Sequence, residues 1–141
     1  MTRRIVSGVL AVVLLSAAAP LASEESPEKA AEAAARSWLA LVDAGKYGES
    51  WEAAASAFRG SVTRAKWEES LEEVRTHFGK VVSRALKSAK YTKEEGHNGP
   101  AGEYVMLQFD TSFEKRPSSI ETVTPMKEKD GSWKVAGYFI R

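Results

Sequence analysis

Apolar residues recur at helical spacing through the first half of this chain and at alternate positions through most of the second. Ala31, Ala34, Ala35, Trp38, Leu41 and Val42 form one stripe. Ser26-Pro27-Glu28 precedes it with a capping hydroxyl, a proline suited to the first helical position and an acid at the positive end of the helix dipole. Gly45, which accepts a left-handed cap, ends this helix. Tyr47, Trp51, Ala54 and Phe58 predict a second, short helix closed by Gly60. Trp67, Leu71, Val74 and Phe78 predict a third, which starts near Ser61 or Thr63 and stops at Gly79. The aromatics on these stripes read as core, which a small domain built on amphipathic helices requires. Glu68, Glu69, Glu72 and Glu73 fall off the third stripe and read as a solvated face.

Lys80 to Tyr91 is the first predicted strand. Its apolar residues divide between both faces, so a bulge or strong bend is expected. Thr92 to Gly102 is a glycine-rich loop. In the strand Glu103 to Phe113, Val105, Leu107, Phe109 and Phe113 share one face, and Tyr104, Met106, Gln108, Asp110 and Ser112 the other. Glu114 to Ser119, with Pro117, is a turn. Ile120–Lys129 and Ser132–Arg141 make a closing hairpin around Asp130-Gly131, a dipeptide suited to positive φ. Pro125 inside the third strand implies a bulge or an edge position. Simple alternation puts Trp133, Val135 and Phe139 on one face of the last strand, and Lys134, Ala136, Tyr138 and Ile140 on the other. Three helices followed by a four-stranded antiparallel meander define an α+β fold with the helices on one face of the sheet.

The first 23 residues stand apart from this pattern. Arg3-Arg4 is followed by an apolar run from Ile5 to Ala19, then small residues up to Ser23 and the acidic Glu24-Glu25. This is the organisation of a secretory signal, and the run is short for a membrane span of roughly 20 residues. The expectation is an exported protein, periplasmic or secreted, with residues 24–141 as one domain and no membrane association after cleavage. Without Arg3 and Arg4, 18 basic residues face 19 acidic ones. That balance carries no concentrated basic patch and argues against nucleic acid as a partner. The chain has no cysteine, which excludes disulfides, thiol catalysis and cysteine–zinc sites.

The run Trp38-Leu-Ala-Leu-Val-Asp-Ala-Gly-Lys-Tyr-Gly-Glu-Ser-Trp51 resembles the opening of a bacterial family of unknown function, DUF4019. So do Trp67, Gly79–Arg84, Gly102-Glu-Tyr-Val, Phe109-Asp-Thr-Ser-Phe113, Glu121-Thr-Val-Thr-Pro125 and the segment from Asp130 to Arg141. This resemblance implies no particular activity and no catalytic residues. More broadly, the chain is similar to the nuclear-transport-factor-like and cystatin-like domains. That similarity implies a cone in which the helices pack into the concave side of a curved sheet. Such cones host enzymes, ligand binders and scaffolds, so fold alone selects none of them.

Candidate chemistry is sparse. His77 and His97 have no partner at metal-ligand spacing, and the glycine-rich loop is not followed by the lysine and helix of a phosphate site. No metal or cofactor is therefore expected. The polar residues Arg84, Gln108, Asp110, Glu121 and Tyr138 lie within strands and are the candidate ligand-binding positions. Arg84 and Glu121 have opposite charge and could pair across the sheet. Three functions are open: a non-enzymatic module binding a small ligand or a protein, a small hydrolase or isomerase using a strand carboxylate, and a homodimer through an outward sheet face carrying Tyr104, Met106 and Tyr138. The orientation of Glu121 separates the first two.

Overall fold

The computed structural model describes residues 25–97 and 100–141; the predicted leader, residues 1–23, lies outside them. The helices are α1 (Pro27–Asp43), α2 (Tyr47–Ala53), α3 (Ser56–Ser61) and α4 (Arg64–Phe78). The strands are β1 (Val81–Glu94), β2 (Gly102–Phe113), β3 (Arg116–Lys127) and β4 (Trp133–Ile140), paired antiparallel in the order β1-β2-β3-β4. The α+β meander is as expected. There are four described helices where the periodicity predicted three, because the second breaks at Ala54-Ala55. Both alanines are buried in extended backbone, and the Ala55 N–H donates to the Val135 carbonyl at 2.8 Å. The break covers part of the free edge of β4, while the apolar spacing from Trp51 to Phe58 runs through it and hides it from a periodicity reading.

Helix ends follow local chemistry. The Ser26 hydroxyl accepts from the Lys29 N–H and the Thr63 hydroxyl from the Lys66 N–H, each at 3.3 Å. Gly79 closes α4 at φ 76°. Buried Leu39 replaces the expected Leu41 on the stripe of α1. On α4 the inward residue after Leu71 is Arg75, 7% exposed, and Val74 faces out at 36%. Both choices fit a helix, since positions three and four apart share a face.

The register contains the bulges that the sequence demanded. In β1 it slips between Val81 and Ser83 and again between Leu86 and Ser88. Between β3 and β4, Thr124 pairs with Gly137 and Pro125 with Val135, so Ala136 is the extra residue. Pro125 has no N–H to give to the ladder, and the bulge accommodates it. This corrects the face assignment of β4. Simple alternation grouped Val135 with Phe139 and put Tyr138 on the outer face. The bulge instead brings Val135 and Tyr138 to the helix side and leaves Phe139 56% exposed. The predicted Glu114–Ser119 turn shrinks to Glu114-Lys115, since Phe113 already pairs with Arg116. At the closing hairpin, the Glu128 N–H donates to Ser132 O at 2.7 Å and the Gly131 N–H to Glu128 O at 2.9 Å. The loop is thus three residues long, with Gly131 at φ 86°.

Trp38, Leu39, Leu71, Val105, Leu107, Phe109, Val123 and Val135 form the centre of the core between helices and sheet. Three indoles find polar partners there. Trp38 Nε1 donates to Ser50 O at 2.8 Å, Trp67 Nε1 to Ser50 Oγ at 3.0 Å and Trp51 Nε1 to Val62 O at 2.8 Å. Trp38→Ala is expected to cost about 3–5 kcal/mol in urea unfolding, as deletion of a buried indole does. Trp133 is only partly buried, so Trp133→Ala should cost clearly less in the same measurement.

Candidate functional site

The inward positions of β3 are Ser119, Glu121, Val123 and Pro125, so Glu121 enters the apolar face of the sheet and is 0% exposed. An isolated ionised carboxylate there would be expensive, and the surrounding side chains remove that cost by pairing with it. Arg84 on β1 donates from Nε to Glu121 Oε1 at 2.7 Å and from Nη2 to Oε2 at 3.2 Å. β1 and β3 are not neighbours in the sheet. Arg84 pairs in register with Thr111 on β2 and reaches over it to the next strand. The Thr111 hydroxyl donates to Glu121 Oε1 at 2.6 Å. From the other side, the Tyr138 hydroxyl donates to Oε2 at 2.5 Å and accepts from Arg75 Nη1 at 3.2 Å.

Helix ends complete the cluster. Asp43, the last residue of α1, accepts from Arg75 Nη2 at 2.5 Å and from Arg84 Nη1 and Nη2 at 2.8 and 3.1 Å. A carboxylate at a helix C-terminus opposes the dipole, and the two guanidinium groups compensate it. Arg75, in the last turn of α4, also lies over the Phe113 ring, 5.1 Å from its centroid. One residue therefore comes from each of α1, α4, β1, β2, β3 and β4, with two positive and two negative charges in balance. Burial acts to raise the Asp43 pKa, but the hydrogen bonds and charges of Arg84 and then Arg75 outweigh it and hold it below its ordinary value. Burial, reinforced by the Glu121 charge, pushes the Tyr138 phenol well above its usual range.

The cluster is most exposed at its Asp43 end. That side chain is 30% exposed and sits in a cleft of about 460 Å³ bordered by Tyr47, Thr76, Lys80 and Lys115. Another cavity, of about 610 Å³, is remote from Glu121, on the face of the sheet opposite α1. Its walls are Tyr104, Met106 and Met126 from the sheet and Phe58 from α3, with Lys90 and Glu94 of β1 at its border.

The five candidate residues do not form one site. Arg84, Glu121 and Tyr138 converge, with Arg84 and Glu121 paired as the sequence allowed. Gln108 and Asp110 lie on the opposite face. There Gln108 meets the Ser88 hydroxyl at 3.4 Å, and Asp110 borders a shallow groove with Ser83 and Ser112. Asp43, Arg75 and Thr111 belong to the cluster and escape the sequence reading. Two signals point to them: an acid placed against the dipole at the end of α1, and an arginine four residues after Leu71 on an apolar stripe. Among the described residues, no group of three or more His, Asp or Glu is placed to hold a metal ion.

The helix layer in the hollow of a four-stranded antiparallel sheet defines a cone of the nuclear-transport-factor-like class. Residues 34–138 match the model of a protein family of unknown function, and the chain belongs to that family, DUF4019. No curated protein matches the chain in sequence. Among solved structures, it is similar to a Shewanella frigidimarina protein named as a candidate ketosteroid isomerase. That pair has 13% identity and a TM-score of 0.51, covering 79% of this chain and 94% of the other. A Catenulispora acidiphila protein aligns with 14% identity and a TM-score of 0.48 over 80% and 91% of the two chains. Aln2 from a Streptomyces species aligns with 10% identity and a TM-score of 0.45 over 84% and 93%. At such identities, the Shewanella likeness speaks for the fold alone.

Two measurements test the cluster. Asp43 has a folded pKa below its unfolded value, so its contribution is present above about 3.8 and is lost as pH falls through the lower folded value. Asp43→Asn should cost on the order of 1–3 kcal/mol at neutral pH, the lower end reflecting its partial solvation. The gap to wild type should close as urea unfolding is repeated at pH values below about 3.8. Tyr138→Phe strips one donor from Glu121 and one acceptor from Arg75, and should cost about 1–3 kcal/mol by the same assay.

Proposed function

We propose that this protein is a non-enzymatic binding module of the bacterial cell envelope, exported by residues 1–23 and acting in the periplasm or outside the cell. The observation that carries this reading is the saturation of Glu121. Its two oxygens accept from Arg84, Thr111 and Tyr138, with Arg75 within 3.7 Å of Oε2. A general base must have a lone pair facing the proton it removes, and here the lone pairs face the protein's own donors. Asp110, the other candidate carboxylate, stands exposed at a shallow groove. Both placements favour binding over a cavity enzyme built on a strand carboxylate.

The space best suited to a ligand is the 610 Å³ cavity on the opposite face, within the size range of small-molecule sites and walled mainly by apolar side chains. An environment-sensitive apolar dye should bind there. Met106 lines the cavity and is 47% exposed. Met106→Trp should therefore cut dye affinity about tenfold or more, equivalent to ~1.4 kcal/mol, with the circular dichroism spectrum unchanged. Equal dye binding by both proteins would remove the cavity from the account. Export is tested by fractionation and N-terminal sequencing: mature protein beginning after Ala22 or Ser23 is expected, and full-length cytoplasmic protein would contradict it.

A second reading rests on the exposure of Met106 and Phe139 on that face. Paired across a twofold axis, these residues would bury each other in a homodimer. Light scattering at increasing concentration should then show a dimer that Phe139→Lys returns to monomer. A wild-type monomer at every concentration would end this reading.

A further inference from the structure

The cavity has an asymmetry that narrows its ligand. Tyr104, Met106 and Met126 supply a continuous apolar wall, and Phe58 closes it from α3. Methionine side chains have three rotatable bonds and adapt to ligands of variable shape. The charged residues at the border are Lys90 and Glu94. Lys90 pairs in register with Met106 and is exposed. Among the described residues it makes no salt bridge, whereas Lys66 and Lys127 each have an acidic partner. Glu94 lies four residues farther along β1, about 13 Å away at the rise of an extended strand. Its negative charge is close enough to Tyr104 to push that phenol upward, after burial.

We propose that the cavity takes a single-chain amphiphile with an anionic head, the head at Lys90 and the chain along Met106, Tyr104 and Met126. This rests on the binding reading above and names its ligand class. Lys90 attracts the head, and Glu94 repels it from the other end, so the two charges set the direction in which the chain lies. A cationic amphiphile would be repelled at Lys90 and attracted at Glu94, and so would lie in the opposite direction.

The experiment titrates the purified protein and its Lys90→Met variant with octanoate, octanol and octylamine, followed by calorimetry and by chemical shifts of the cavity methionine methyl groups. Lys90 is exposed, so the variant retains the fold. Lys90→Met should weaken octanoate about threefold to fivefold and leave octanol within about twofold, the size of an exposed charge contact. Raising salt from about 0.15 M to about 1 M, which shortens the Debye length from ~8 Å to ~3 Å, should erase the difference. Octanol binding with octanoate indifferent to Lys90, or octylamine binding more tightly than octanoate, overturns the anionic-head assignment and leaves the cavity reading standing. Failure of all three ligands to shift the methionine methyl groups overturns both.

Discussion

The structure depends on the burial of one carboxylate. Glu121 occupies a fully buried inward position of β3 between Ser119 and Val123, and taking its charge out of water costs several kcal/mol unless the remaining lone pairs are met. Meeting them constrains much of the chain. Arg84 must reach over β2, so the register of β1 against Thr111 is fixed. Tyr138 must face inward, so β4 needs its extra residue at Ala136. Arg84 needs Asp43 as a second partner, and Asp43 in turn holds Arg75, which ties the ends of α1 and α4 to the sheet. The network joins elements that share few neighbours along the chain.

The same constraint limits where a ligand could fit. A cone whose hollow is occupied by Trp38, Trp67 and Tyr138, with a neutralised ion cluster beside them, has its interior committed to folding. Within the stretch Trp38–Trp51, Asp43 anchors both arginines, Gly45 turns the chain at φ 75° and Ser50 serves two indoles. Those residues maintain the architecture. The cavity proposed for a ligand lies on the opposite face of the sheet, where Tyr104 and Met106 line it and α3 contributes a wall.

Much of the fold was legible because periodicity and punctuation agree. Glycines at 45 and 79, the caps Ser26 and Thr63, and the alternation in β2 all mark elements that the structure contains. The break at Ala54-Ala55 was not legible, since alanine favours helix and only the tertiary bond to Val135 explains its extended backbone. The site was half legible. Opposite charges at Arg84 and Glu121 announced a pair, but alternation placed Tyr138 on the wrong face. Pro125 did signal a bulge. It could not say which residue of the partner strand would be the extra one, and a one-residue slip exchanges the two faces. Asp43 and Arg75 were hidden because charged residues near helix ends usually face water.

Glu121 and Arg84 act as one structural unit, and a double-mutant cycle in urea unfolding measures their coupling. Glu121→Leu and Arg84→Met alone should each cost about 3–5 kcal/mol, since each unbalances the buried cluster of two positive and two negative charges. The double variant should be no less stable than either single one, because replacing both members of a buried pair with apolar groups removes the stranded charge along with the pair. Additive losses would contradict the account and show that the two side chains stabilise the protein through separate contacts.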